Sequence, residues 1–491
     1  MEESLLHSAN TQAGLSASLY RPLSEVDVKT IAEESFRILE QRGMTVYSRT
    51  CRDALGDAGA DVDDSTCRVK LPRGLVEDAV ASNPSSVTLH SRDGSCDAVL
   101  EGTRVHYGTG GTAIYVLDPD TGERRPSNVA DVALNAAMVE ALENIHVFTI
   151  NVFPHEVEEK DGIDPNRFYH AFANTHKHVM GGIYSLEGCK KVVKMAEMIA
   201  ESPEALRERP FVSFITLIIS PFKIDDHYGE ITAYLARENL PVVIPTEPIC
   251  GTTSPVTLAG NVLMHTAETL GGIAMVQALK KGAPGICGSV GSITDLRTMD
   301  HVGGAVERAM INAAVAQLAQ HFALPLYSTG GTSDAKAVDV QAAYESAMSS
   351  LLVAMSGANY IHDIAGLMEA DLTVSYEKLV VDNEILGMCQ RVLRGIEVNA
   401  DTLATDLIIE KGPEDHFAAD IHTVDHMIGE FFEPKLANRS KRAAMKPGDD
   451  AYSRAQETVA QIRGQERETA LEPGVRQAIL DAFPEILKTE S

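Results

Sequence analysis

The sequence predicts an α/β protein: an eight-stranded (β/α) TIM-type barrel with an N-terminal α+β extension and a helical C-terminal tail. Three observations carry that reading. From Val105 onward, short apolar runs alternate with helix-length segments, the pattern of parallel strands joined by crossover helices. Eight such runs can be counted, at residues 105–110, 145–151, 178–184, 211–220, 241–245, 284–291, 324–329 and 358–363. The stretch LPLYSTGGTSDAK at 324–336 shows how a run ends, with Leu324, Leu326 and Tyr327 stopping at Gly330 and Gly331 before a polar loop. A doubly wound open sheet is the rival arrangement of the same runs. In the barrel reading, residues 1–104 form the extension, 105–398 the barrel and 399–491 a helical segment packed on it.

In chain order, Ser24 caps a first helix whose apolar positions end at Gly43, a second covers 50–58, and Pro72 opens a third. SSVTLHSRDGSCDAVLEG then reads as a hairpin turning at Asp93 and Gly94. Between the eight runs lie predicted helices at 129–142, 186–199, 226–238, 255–281, 304–322 and 338–355, with another at 376–393 after the last run. Asp334 is positioned to cap the helix that starts near Ala337. VLDPDTGERRP reads as an inserted hairpin, and the tail as a charged connector with a closing amphipathic helix.

Composition narrows the function. The formal net charge of −28 argues against nucleic acid and anionic membrane as partners, because both would be repelled. The seven cysteines are odd in number, scattered and without a CxxC pair, which points away from a disulfide framework and toward a reducing cytoplasm. Residues 1–19 lack the basic-then-apolar profile of a secretory signal, and no apolar run reaches the length of a membrane span. Aromatics make up only 5% and Trp is absent, so any aromatic site must draw on Tyr and Phe.

Barrel chemistry sits at the carboxyl ends of the strands. Those ends hold no Lys and no metal-ligand spacing, which leaves Schiff-base and metal chemistry without support. What converges is aromatic, acidic and Gly-rich, with one His. Such a rim suits a cation with no hydrogen to donate, such as a quaternary ammonium; the alternative for each ring is that it seals the core. His422 and His426 stand four apart with His416 nearby, but without the companions of a zinc motif, so no metal is expected. The Gly clusters at 108–111 and 288–291 leave a phosphate-binding barrel as the weaker alternative.

The segments GTGGTAIYVLDPDTGERRPSNVADV, TSPVTLAG, STGGTSDAKAVDVQAAYES, ANYIHDIAGLMEADLTVSYEKLVVDNEIL and HFAADIHTVDHM resemble the trimethylamine methyltransferase family of corrinoid-dependent enzymes, over roughly residues 24–487. The resemblance implies a closed α/β barrel that passes a methyl group from a methylated amine to the cobalt of a separate corrinoid protein, with no cofactor held tightly by this chain. It also implies a division. The trimethylamine enzymes carry pyrrolysine in or near the loop matching Gly330 to Asp334, whereas this chain has only standard residues there. That points to the members acting on quaternary amines such as glycine betaine, proline betaine, carnitine or γ-butyrobetaine.

On that basis Tyr107, Phe222, Tyr327, Tyr344 and Tyr360 are the expected cage, with Gly330 and Gly331 in the substrate loop. Glu247 and Asp334 are expected to supply negative charge near the ammonium. His362 is expected either to donate to a substrate carboxylate or to be a core histidine. Lys336 and Arg308 are further carboxylate partners, with surface positions as the alternative. The long apolar helix covering 261–279 allows a homo-oligomer. A barrel that binds a betaine without turning it over is the non-enzymatic alternative.

Overall fold

A computed structural model describes residues 14–446 and 448–488; the first thirteen residues of the expected extension, and 447 and 489–491 of the expected tail, lie outside the described residues. The eight apolar runs become eight parallel strands: β1 (Arg104–Tyr107), β2 (Val147–Thr149), β3 (His178–Gly182), β4 (Val212–Ile215), β5 (Val242–Thr246), β6 (Gly285–Ser289), β7 (Leu326–Thr329) and β8 (Tyr360–His362). They lie side by side as β1-β8-β7-β6-β5-β4-β3-β2 in one curled sheet, so consecutive strands from β2 to β8 are sheet neighbours. A parallel bridge between Gly108 and Val147, with His146 N donating to the Tyr107 carbonyl at 2.8 Å, links β1 to β2. Leu15–Ser16 adds a short antiparallel strand on β1.

Strand alternation divides the side chains into two cores. Val147, Met180, Val243, Ile286, Tyr327 and Tyr360 point to the concave side and pack on Val87, Leu89, Ala98 and Leu100 of the predicted hairpin. That hairpin lies at the amino ends of the strands: His106 Nε2 accepts from Val99 N at 3.1 Å, and His178 Nδ1 lies 3.1 Å from the His90 carbonyl. The intervening residues, such as Val105, Phe148, Val179, Ile244 and Ile361, face the helices.

The extension is built as its sequence suggests. Ser24 and Asp27 form a reciprocal capping box on the helix Glu25–Gln41, which satisfies two amide donors that would otherwise be unpaired. This helix, Arg49–Asp57 and Arg73–Ser82 all pack on Leu258–Leu279. From Asn261 to Gln277 that long helix is buried nearly all round because strands cover one side and the extension the other. It is therefore interior and offers no surface to another chain, contrary to the oligomer reading of residues 261–279.

Three further expectations change. A helix at Lys160–Asn174 follows β2 where none was expected, because Gly162, Asp164, Pro165 and Asn166 read as a loop. The helix after β7 starts at Val340, and its cap is Asp339, whose side chain accepts from Gln341 N and Ala342 N, so Asp334 does not cap it. The tail forms short helices, of which Ala451–Gly464 packs on Tyr376–Arg394 and Pro473–Ala482 on Leu186–Ile199. His422 and His426 sit on Ile421–Glu430, where both rings lie against Asp401. Among the described residues no helix is long and apolar enough to cross a membrane, and no group of three or more His, Cys, Asp or Glu is placed to hold a metal ion.

Candidate active site

At the carboxyl ends of the strands the loops form two small sheets. Ile249–Cys250, Ser292–Asp295 and Asp300–Val302 come from the loops after β5 and β6; Tyr115–Leu117, Arg124–Pro126, Leu367–Met368 and Thr373–Val374 come from those after β1 and β8. Between them lies a buried ionic cluster. Arg308, on the helix Val306–His321, donates through Nη1 to Asp371 Oδ2 at 2.8 Å and Thr332 Oγ1 at 2.9 Å. Its Nη2 stands 3.8 Å from Asp363 Oδ2, too far for a hydrogen bond.

The cluster is under-satisfied. Arg308 Nε and Nη2, Asp363 Oδ1, Asp371 Oδ1 and His362 Nδ1 are all buried without a hydrogen-bond partner. His362 Nδ1 does lie 2.8 Å from Asp363 Oδ1, but off the hydrogen-bonding direction. Unpaired buried polar atoms are costly and tend to persist where a ligand or a function uses them. Asp363 also has φ +60°, the left-handed region that disfavours side-chain-bearing residues, and Gly110 accommodates it. A Cβ on Gly110 would fall 2.3 Å from Asp363 Oδ1.

Electrostatics makes the cluster acidic. Burial opposes the charged Arg308, yet the carboxylates of Asp371, Asp363 and Glu247 hold its pKa above the ordinary value. Burial likewise pushes the Asp371 carboxyl up, against the pull of Arg308. Glu247 is half-buried at the end of β5, its Oε1 accepting from Ser292 Oγ at 3.3 Å and facing His301 Nε2 at 3.2 Å. Three carboxylates around one guanidinium leave room for a second positive charge.

Beneath the cluster, the Tyr327 ring stacks on His362 with centroids 3.8 Å apart and planes at 14°. His362 Nε2 pairs with Thr329 Oγ1 at 2.7 Å, and the Tyr360 hydroxyl with Thr149 Oγ1 at 2.7 Å. Across the mouth, Phe153 and Tyr184 follow β2 and β3 as half-buried rings in edge contact at 5.4 Å, and buried Arg167 lies 5.0 Å from the Tyr184 ring centre. A Cβ on Gly182, at the end of β3, would meet nothing within 4 Å, so open space faces this side.

The structure brings together Glu247, Tyr327, Tyr360 and His362 and separates the rest. Tyr107 points the other way, into the helix layer against His146, because the concave face of β1 takes His106. Phe222 lies under the Arg42 guanidinium of the extension, 4.4 Å from its ring centre. Tyr344 is exposed on the outer face of Val340–Ser356. Asp334 accepts from Gly303 N at 2.8 Å and Gly304 N at 3.0 Å, a backbone clamp on the loop that carries His301. Gly330 and Gly331 are packing positions; Gly331 has φ +74° and a Cβ there would come within 2.5 Å of Ile364. Lys336 is exposed, whereas Arg308 is buried at the centre of the site and not on the surface.

The sequence places Phe153, Tyr184 and Asp363 at strand ends, without a role for any of them; Asp371 carries no such signal, since it lies in the loop beyond β8, between Leu367–Met368 and Thr373–Val374. Glu268, on Leu258–Leu279, is a further buried carboxylate: it accepts from Phe222 N at 2.6 Å, Ser220 Oγ at 2.8 Å and Thr246 Oγ1, fixing the loops after β4 and β5.

Residues 7–486 match the family model Trimethylamine methyltransferase (MTTB). The chain belongs to the trimethylamine methyltransferase family. Within that family it is 36% identical to the trimethylamine methyltransferase MttB of Desulfitobacterium hafniense, over 85% of this chain and 84% of that protein. It is 31% identical to a glycine betaine methyltransferase of the same species, over 86% and 87%, and 32% identical to MttB of Methanosarcina barkeri, over 80% of both. The crystal structure of the Methanosarcina barkeri monomethylamine methyltransferase aligns over 94% of this chain and 98% of its own, at 12% identity and a TM-score of 0.46. Family membership makes the chain a methyltransferase.

Proposed function

We propose that this chain moves a methyl group from a quaternary amine of the betaine or carnitine type to cobalt(I) on a separate corrinoid protein, in the cytoplasm. The observation that carries the substrate class is the acidic surplus around Arg308, where Glu247, Asp363 and Asp371 face a single guanidinium. A quaternary nitrogen already bears its charge, so the amine leaves neutral and no general acid is required. The partner's corrinoid supplies the nucleophile. This chain's residues hold the cation, aim one methyl outward and exclude water. Phe153 and Tyr184 offer ring faces, Tyr327 backs His362 from beneath, and the carboxylates offset the charge. Standard residues in the Gly330-to-Asp334 loop support a quaternary substrate over trimethylamine, a choice that the relatives' identities leave open.

The same proposal takes the curled sheet as a closed eight-stranded barrel, a reading supported by the Gly108–Val147 bridge, with the extension at 1–104, the barrel at 105–398 and the tail at 399–491. Seven free cysteines fit a reducing compartment. The test is to mix the protein with reduced corrinoid partner and, in turn, glycine betaine, proline betaine, carnitine, γ-butyrobetaine and trimethylamine, following loss of the cobalt(I) absorbance. Response to one quaternary amine is expected. Response to trimethylamine alone would overturn the substrate class; binding without any turnover on an active partner would favour a binding barrel.

A further inference from the structure

The helix Lys160–Asn174, between β2 and β3, carries two buried charges that the ionic cluster does not use. Asp164 and Arg167 stand three apart and so share one face of it, with both side chains fully buried. That face meets the segment after β3. Asp164 Oδ2 accepts from Tyr184 N at 2.9 Å and Ser185 N at 3.2 Å, and Oδ1 also lies 3.2 Å from Tyr184 N. Arg167 Nη1 donates to the Gly182 carbonyl at 2.8 Å, and its guanidinium lies under the Tyr184 ring. The carboxylate thus takes the amides of the segment, and the guanidinium takes its carbonyl and its ring.

The pair itself is slack. Arg167 Nη1 stands 3.7 Å from Asp164 Oδ1, too far for a hydrogen bond, and Arg167 Nε is buried without a partner. Burial pushes the Asp164 carboxyl up to about 6, with Arg167 and the two amides pulling against it and Asp161 of the same helix adding to it. The titratable groups facing it from the neighbouring helices stay neutral there, because burial pushes up the Cys189 thiol of Leu186–Ile199 and the Tyr228 phenol of Asp226–Glu238. Once protonated, Asp164 presents an O–H donor to amides that also donate, and the segment loses an acceptor. On its other side the segment has room to move, since a Cβ on Gly182 would meet nothing within 4 Å.

We propose that Asp164 is a positioning residue of this methyltransferase: its carboxylate, with Arg167, holds the segment 182–185 so that the Tyr184 ring faces the site, and protonation of that carboxyl lets the ring go. In taking Tyr184 as a ring of the site the proposal rests on the reading above, but it holds for any methylated amine. Asp164 touches no substrate and acts through the Tyr184 backbone. The consequence is an acid limb in turnover set from outside the pocket: as pH falls through about 6, the ring is released and kcat/KM falls.

Trp is absent from the chain, so Tyr184→Trp places a single indole at the mouth and needs no substrate to report. Its emission is expected to change in one transition near pH 6, which Asp164→Asn in the same chain removes. No transition, or one that survives Asp164→Asn and so belongs to another group such as His155 beyond Phe153, overturns the proposal. Should Asp164→Asn fail to fold, Arg167→Gln decides: loss of the guanidinium's pull moves the transition to higher pH, and an unmoved transition overturns the proposal. Turnover is the second arm, with reduced corrinoid partner and the amine of the series above that responds. Asp164→Asn and Tyr184→Leu are each expected to lower kcat/KM about tenfold at neutral pH, and the double variant no further, because both act through one ring. Losses that multiply to about a hundredfold overturn the proposal. Tyr184→Leu at wild-type kcat/KM overturns the reading of that ring and the positioning role with it, even where the emission transition is present. Should no amine turn over, the emission decides alone.

Discussion

Two buried ionic clusters flank the loop after β7, and they are built to opposite standards. Behind the loop, Lys378 Nζ donates to Asp382 Oδ2 at 2.7 Å, Ser346 Oγ at 2.9 Å and the Gly331 carbonyl at 3.1 Å, while Asp382 also accepts from Ser346 Oγ and Gly366 N. The Lys378 ammonium and both Asp382 oxygens are in use. In front of the loop, Arg308, Asp363, Asp371 and His362 leave five buried atoms unpaired. The same chemistry serves as a rivet in one place and as a receptor in the other, and satisfaction, not burial, tells them apart.

The contrast can be tested, beginning with the histidines buried in the interior. His106 and His170 are buried and pushed down to about 4, His178 and His265 to about 3, each by loss of hydration. With folded values below the unfolded value of 6.5, their contribution is full at neutral pH and is lost as pH falls from 6.5 toward 4, by up to about 1.4 kcal/mol per pH unit per ring. Asp164, pushed up to about 6 by burial, has the opposite sign and offsets part of this over the same range. Cooperative unfolding before pH 4 is expected by circular dichroism. A fold that persists there would mean the rings are not held neutral.

Next in size, Lys378→Met should cost about 3–5 kcal/mol in urea denaturation by stranding Asp382, and pairing it with Asp382→Leu should restore much of the loss. Asp363→Asn should reverse the profile, with kcat/KM for a quaternary amine down about 100-fold as one of the three carboxylates is lost, and a smaller loss of stability, since Asp363 Oδ1 has no hydrogen-bond partner and Asn tolerates the left-handed backbone at φ +60°. If both variants unfold alike, the distinction between rivet and receptor fails. Tyr327→Leu should lower kcat/KM about tenfold by removing the ring under His362. The smallest effect belongs to Tyr344→Ala, expected within about 0.5 kcal/mol of the wild-type chain stability, as for surface positions generally.

The eight strands were legible because each buried parallel strand must be a short apolar run between helices, whatever its neighbours. Side-chain direction was less so. Tyr107 and Tyr360 look alike in sequence, but His106 occupies the concave face of β1 and turns Tyr107 outward, and that parity depends on register with β8. Arg308 read as surface because a guanidinium on a helix usually is; only Asp371 and Asp363, far along the chain, explain its burial. The helix Lys160–Asn174 escaped notice because tertiary burial overrode a composition of Gly, Pro, Asp and Asn. Tyr344 belongs to an outer stripe whose four-residue spacing was visible in the sequence, although its direction was not.

The hairpin under the strands has one more consequence. Val87, Leu89, Ala98 and Leu100 stopper the amino end of the interior, so what enters has a single doorway, shared by arrival and departure. A methyl acceptor seated over that doorway would also hold in the demethylated amine until it left. Exchange of one small molecule for the next would then be timed by the residence of a large one, and turnover should slow as that docking tightens.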